Sequence, residues 1–101
     1  MNEKFIKCHQ QLECLPKGDR NFAITIVPNA NPNKPTIHII GNSKYDSSGR
    51  YRLLDKSEVE RLFLAFVEKA TPVIHKHFPN SFHHFVCDPY SDFVIAYDIK
   101  E

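Results

Sequence analysis

The sequence predicts a single α+β domain spanning residues 1–101, in the order α-β-β-β-α-β-β. An antiparallel sheet packs on one long helix, with a short N-terminal helix beside it. Three observations predict this. A stripe of apolar residues at helical spacing runs through "SEVERLFLAFVEKA", residues 57 to 70. Around it lie short segments of period-two alternation, "NFAITIV", "TIHII", "FHHFVC" and "DFVIAYDI", separated by clusters of Pro, Asn, Ser, Gly and Asp. The length, 101 residues with 42% hydrophobic content, matches one core and leaves no room for a second domain.

The first element is a helix over residues 3 to 15, because Phe5, Cys8, Leu12 and Leu15 recur at spacings of 3, 4 and 3, with Asn2 as N-cap and "PKGD" as a stop. The first strand follows, with Phe22, Ile24 and Ile26 on one side and Ala23, Thr25 and Val27 on the other. Pro28 to Pro35 holds three prolines and three asparagines in eight residues and is read as a long hairpin loop. A domain linker is excluded there, because only 27 residues precede it. The second strand, "TIHII", puts Ile37 and Ile39 against Thr36, His38 and Ile40, and "RYRLL" is read as a short third strand after the turn-rich "GNSKYDSSG".

For the long helix, Ser57 and Glu60 form a capping box, and Val59, Leu62, Phe63, Phe66, Val67 and Ala70 fall within about 140° of the helical wheel. Pro72 removes a backbone donor, so the helix is expected to end at 70 and to restart, kinked, over 72 to 78. Leu64 stands off the stripe, about 140° from Val59, and must be covered by the first helix or exposed. The last two strands flank "DPYS" as a C-terminal hairpin.

Strand parity then divides the sheet. Phe22, Ile24, Ile26, Ile37, Ile39, Tyr51, Leu53, Phe85, Cys87, Phe93, Ile95, Tyr97 and Ile99 are assigned to the helix side. The opposite face receives Thr25, Val27, Thr36, His38, Ile40, Arg50, Arg52, Phe82, His84, Val86, Val94, Ala96 and Asp98. This second face interleaves apolar, cationic and polar groups, a mixture suited to recognition with Arg and aromatic anchors. The plainer alternative is a moderately apolar open sheet face, or one partly covered by the first helix.

Four of six histidines and one of three cysteines fall in "HKHFPNSFHHFVCD", residues 75 to 88. Metal binding is disfavoured by spacing. His75 and His77 lie about 200° apart on a helix, and His83 and His84 point to opposite faces of a strand. His83 and Cys87 share a face but sit about 13 Å apart. Neither Cys8-His9 nor Cys87-Asp88 places a nucleophile in bonding geometry with a base, and three glycines leave no phosphate-cradling loop. Acid/base work by His38 and His84, assisted by Arg52, is the remaining catalytic option. The sequence thus predicts no catalytic residue, no metal and no cofactor, and a chain that is more naturally a binder than an enzyme.

Net charge is +1, with residues 1 to 52 carrying eight basic against four acidic side chains and residues 53 to 101 five against eight. That mild asymmetry is not the footprint of a dedicated phosphate-backbone binder, so nucleic acid is disfavoured as a partner. The longest apolar run, Leu62 to Val67, is far short of the roughly 20 residues that span a bilayer. "MNEKFIKCHQQ" has no apolar stretch of the secretory kind, and an odd cysteine count without Cys-x-x-Cys predicts free thiols. If helical, Cys8 and Cys14 lie about 240° apart and cannot pair across one face. A cytoplasmic location is the expectation.

In element order the chain resembles type III secretion chaperones, which add a last helix absent from this pattern and are usually acidic. "NSKYDSSGRYRLLDKSEVERL", with Lys44, Tyr45, Arg50, Tyr51 and Arg52, is similar in layout to single-strand-binding transcriptional coactivators, in which strands and a basic loop precede one long helix. The leading expectation is a non-enzymatic protein-binding module: a small inhibitor, immunity protein or chaperone-like adaptor. Its binding residues are His38, Arg50, Arg52, Phe82 and His84, its partner is another protein, and a homodimer is compatible with it. Single-stranded nucleic-acid binding through the basic and aromatic residues is the alternative, and a small His-dependent nuclease the third reading.

Overall fold

A computed structural model of the chain describes residues 3–17, 22–27, 36–46, 48–86 and 93–99. The Asn2 cap, the Pro28–Pro35 loop, Cys87 and the "DPYS" turn lie outside the described residues.

Two helices, α1 (Glu3–Glu13) and α2 (Lys56–His77), and four strands, β1 (Ala23–Val27), β2 (Thr36–Gly41), β3 (Phe82–Phe85) and β4 (Phe93–Asp98), follow one another as α-β-β-α-β-β. α1 buries Phe5, Cys8 and Leu12 along one face. It stops two residues early because its last turn tightens: Cys14 N–H is shared between the Gln10 and Gln11 carbonyls, and Leu15 N–H bonds Leu12 three residues back.

α2 runs unbroken through Pro72, against expectation. The buried stripe Val59, Phe63, Phe66, Val67, Ala70 and Ile74 continues across the proline, and Phe78 extends it. Packing of Ile74 and Phe78 in line with the earlier turns outweighs the hydrogen bond that the ring removes. The cap also differs. Asp55, not Ser57, is the N-cap, and its carboxylate accepts from the backbone N–H and hydroxyl of Ser57. These bonds hold the Asp55 carboxyl below its ordinary value.

The strands form one antiparallel sheet in the order β1-β2-β4-β3. The expected third strand is not part of it. "RYRLL" contributes a single bridge, Tyr45 to Tyr51, within a hairpin that closes on itself through Arg52 N–H to Lys44, Leu54 N–H to Ser43 and Asp46 N–H to Arg50. Its turn is built by the Asp46 carboxylate, which accepts from the Ser48 and Arg50 backbone, and by Gly49 at φ +82°, a left-handed conformation that suits glycine. Tyr51 and Leu53, assigned to the core by parity, are therefore 68% and 62% exposed.

Both helices pack on the same side of the sheet. Ile24, Ile37, Ile39, Ile95, Tyr97 and Ile99 meet the apolar stripes of α1 and α2 there, and Phe22 joins them from the start of β1. The one polar atom of Tyr97 is satisfied, since its hydroxyl lies 2.7 Å from Thr71 Oγ1. Phe85 is a further correction. Its register opposite Ile95 puts it on the helix side, yet it is 66% exposed. α1 packs on α2 and β1, and α2 on β2, so the helices crowd toward one edge and leave the outer strand β3 bare. Among the described residues no helix is long and apolar enough to cross a membrane.

Candidate functional site

Antiparallel register and period-two alternation assemble the side of the sheet that faces away from the helices. One row across it reads Thr25, His38, Ala96, His84; the next joins Thr36, Asp98 and Phe82; a third joins Ala23, Ile40 and Val94. The floor is apolar. Val94 and Ala96, short side chains of the central strand β4, are buried between longer neighbours on β2 and β3.

His38 and His84 stand on the two strands flanking Ala96, two strand spacings or about 10 Å apart at the backbone. Thr36 Oγ1 lies 3.2 Å from His38 Nε2, and His84 Nδ1 lies 3.7 Å from the Asp98 carboxylate. Phe82 and His84 are ring neighbours, 6.4 Å between centroids, and Phe82 is 48% exposed. Partial burial pushes the His38 pKa below its ordinary value, the neighbouring His84 pushes the same way, and Asp98 partly opposes both. Both imidazoles lie on the face that a partner would meet, His38 beside Thr36 and His84 beside the Asp98 carboxylate.

Of the five expected site residues, the fold brings His38, Phe82 and His84 onto one face. Arg50 and Arg52 lie on the separate 43–54 hairpin, which no strand register among the described residues joins to the sheet. Sequence reading placed Asp98 on this face but missed its pairing with His84; the diagonal position of Asp98 one step beyond Ala96 becomes visible only once the β3-β4 register is known.

The remaining histidines disperse. His75 Nε2 donates to the Ser81 carbonyl, tying the end of α2 to the start of β3, and His77 Nε2 donates to the Gln11 side chain, tying α2 to α1. His9 Nε2 donates to the Ile24 carbonyl, anchoring α1 on β1. His83 faces the helix side beside the Tyr97 ring. Among the described residues no group of three His, Cys, Asp or Glu is arranged to hold a metal ion. Burial pushes the Cys8 thiol up to about 11, a value at which it is a packing group and not a nucleophile.

Comparison with protein families, with curated proteins and with solved structures returns no match to this chain.

Proposed function

We propose that the chain is a non-enzymatic protein-binding module whose open sheet face covers a partner surface, in the manner of a small inhibitor, immunity protein or chaperone-like adaptor. The observation that carries this reading is the composition of that face. An apolar floor of Val94 and Ala96 is rimmed by His38, Thr36 and the His84–Asp98 pair, with the half-exposed ring of Phe82 standing beside them. An exposed aromatic next to a small apolar floor and hydrogen-bonding edges is the arrangement that desolvates favourably against a complementary protein surface.

The experiment is site-specific photocrosslinking followed by affinity measurement. A photoreactive phenylalanine analogue at position 82 should capture a defined partner, and the same group at the exposed Lys69 should not. Phe82→Ala should then weaken the purified complex at least about tenfold with the fold unchanged. Capture from position 69 alone would put the interface on the helix and refute the reading.

A second reading has its own observation. The 43–54 hairpin presents Tyr45 and Tyr51, both exposed and edge to face at 6.2 Å, among Lys44, Arg50 and Arg52. Exposed aromatics among cations are the elements of single-strand binding. Oligothymidylate binding tighter than about 1 µM at physiological salt, lost in Arg50→Glu/Arg52→Glu, would favour it over the first.

A further inference from the structure

On the helix side, the bare strand β3 borders a flank of α2 that the core does not use. Arg61, Leu64, Ala65 and Glu68 occupy positions i, i+3, i+4 and i+7 of that helix and form one stripe. All four are exposed, Leu64 at 39%. Between this stripe and β3 opens a groove of about 740 Å³, whose inner wall is Val67, Thr71, Pro72 and His83. No residue of α1 lines it; α1 packs at the far end of α2, where Phe5 meets Phe78 and Gln11 meets His77. Leu64 is therefore an apolar side chain at the mouth of an unfilled apolar groove.

We propose that this flank is the interface of a two-fold symmetric dimer, in which α2 of one copy packs antiparallel on α2 of another. The sequence of the stripe is complementary to itself. A two-fold axis between Leu64 and Ala65 makes each residue face the one whose number completes 129, so Leu64 meets Ala65 of the other copy and Arg61 meets Glu68 of the other copy, each contact occurring twice. A large apolar group is set against a small one, and each cation against an anion. A stripe with like charges at its two ends would repel its own copy. The same axis overlaps the two helices from residue 56 to 73, about five turns, and Leu64 packs beside Ala65 and Val67 of the other copy at the mouth of its groove. Arg61 already touches Glu58 of its own helix, but that pair is exposed and holds the side chain only weakly. The open sheet face lies on the opposite side of the sheet and stays free, so this inference stands or falls separately from the proposed function.

The test is sedimentation of the full chain over a concentration series from about 1 to about 100 µM, a range that reads micromolar association. Wild type should reach twice the mass of one chain. Arg61→Glu and Glu68→Arg, each of which sets like charges together at both symmetric contacts, should each weaken the dimer about tenfold. The double variant Arg61→Glu/Glu68→Arg restores opposite charges at both contacts and should return to within about threefold of wild type. Leu64→Ser should leave a monomer across the range, with circular dichroism showing the fold retained. A wild-type chain that stays monomeric, or a double variant no better than the single ones, overturns the proposal.

Discussion

Gly41, at the end of β2, fixes how closely α2 approaches the sheet, and adding one methyl group there tests the packing of the whole core. A Cβ built on Gly41 would lie 2.9 Å from Phe63 Cδ2 and 3.4 Å from both Phe63 Cε2 and Phe22 Cε1. Phe63 cannot swing aside. It is fully buried, edge-on to Phe22 at 5.6 Å and stacked on Phe93 at 5.7 Å. Overpacking of this kind costs about 1–3 kcal/mol. Replacing glycine by alanine returns about 0.4–1 kcal/mol by narrowing the unfolded ensemble, because Gly41 does not use a left-handed conformation. Gly41→Ala should therefore destabilise by about 1–2 kcal/mol, lowering the thermal midpoint by about 5–15 °C for a chain of this size. Gly49→Ala is the control for backbone strain alone, since Gly49 sits at φ +82° with nothing within 4 Å of the added methyl. Adding Phe63→Leu to Gly41→Ala should cost less than the sum of the two single changes, the signature of a shared contact. A midpoint for Gly41→Ala equal to or above wild type would refute the reasoning, as would strict additivity with Phe63→Leu.

Two further outcomes follow from the titratable groups. His38 has a folded pKa below its unfolded value of about 6.5, so the unfolded chain binds the extra proton more readily. Its contribution to stability is full above about pH 6.5 and is lost as pH falls from there through the lower folded value; denaturant titrations of wild type and His38→Gln across this window should show the slope only in wild type. The groups facing it are His84, whose removal should raise the His38 pKa, and Asp98, whose removal should lower it further, both readable by proton resonance titration. In a Cys87→Ser background, a thiol reagent at neutral pH should modify the exposed Cys14 quickly and the buried Cys8 only on unfolding. Fast labelling of Cys8 in the native chain would contradict the packing of α1.

What the sequence revealed and what it hid divide along one physical line. Period-two alternation assigned Ile37, Ile39, Phe85 and Ile95 to the helix side and His38 and Ile40 to the other, and the antiparallel register places them so. Which side of a pleat a residue occupies is a property of the strand itself. Whether that side is covered is a property of the neighbours, and there the reading failed for Phe85, because helix placement over β1 and β2 is decided by tertiary packing. The same holds for "RYRLL", where apolar alternation promised a strand but the Asp46 and Gly49 turn closes the segment on its own preceding residues. Pro72 is the converse case, a strong local breaker overruled by Ile74 and Phe78. Leu64 was visible as an outlier from the helical stripe, and the groove beside it was not, since β3 forms its other wall from nineteen residues away.

The edge strand β3 contributes side chains to both the open sheet face and the α2 groove. Its alternate side chains part to opposite sides: Phe82 and His84 join the open face with Asp98 and Ala96, while His83, which lines the α2 groove, and Phe85 project to the helix side with Tyr97 and Ile95. The two proposals therefore draw on one strand, and the pleat keeps them apart, because a substitution at 82 or 84 changes nothing that projects on the helix side. This predicts a crossed pattern. His84→Ala should weaken partner binding and leave the sedimentation of the chain unaltered, whereas His83→Ser should weaken self-association and leave binding through the open face intact. β3 is exposed along its whole length, so neither change empties a core site and both chains should keep their unfolding midpoints within about 1 kcal/mol of wild type. If both substitutions damaged both interactions equally, the two surfaces would be one, and the division of β3 into a binding side and an assembly side would be wrong.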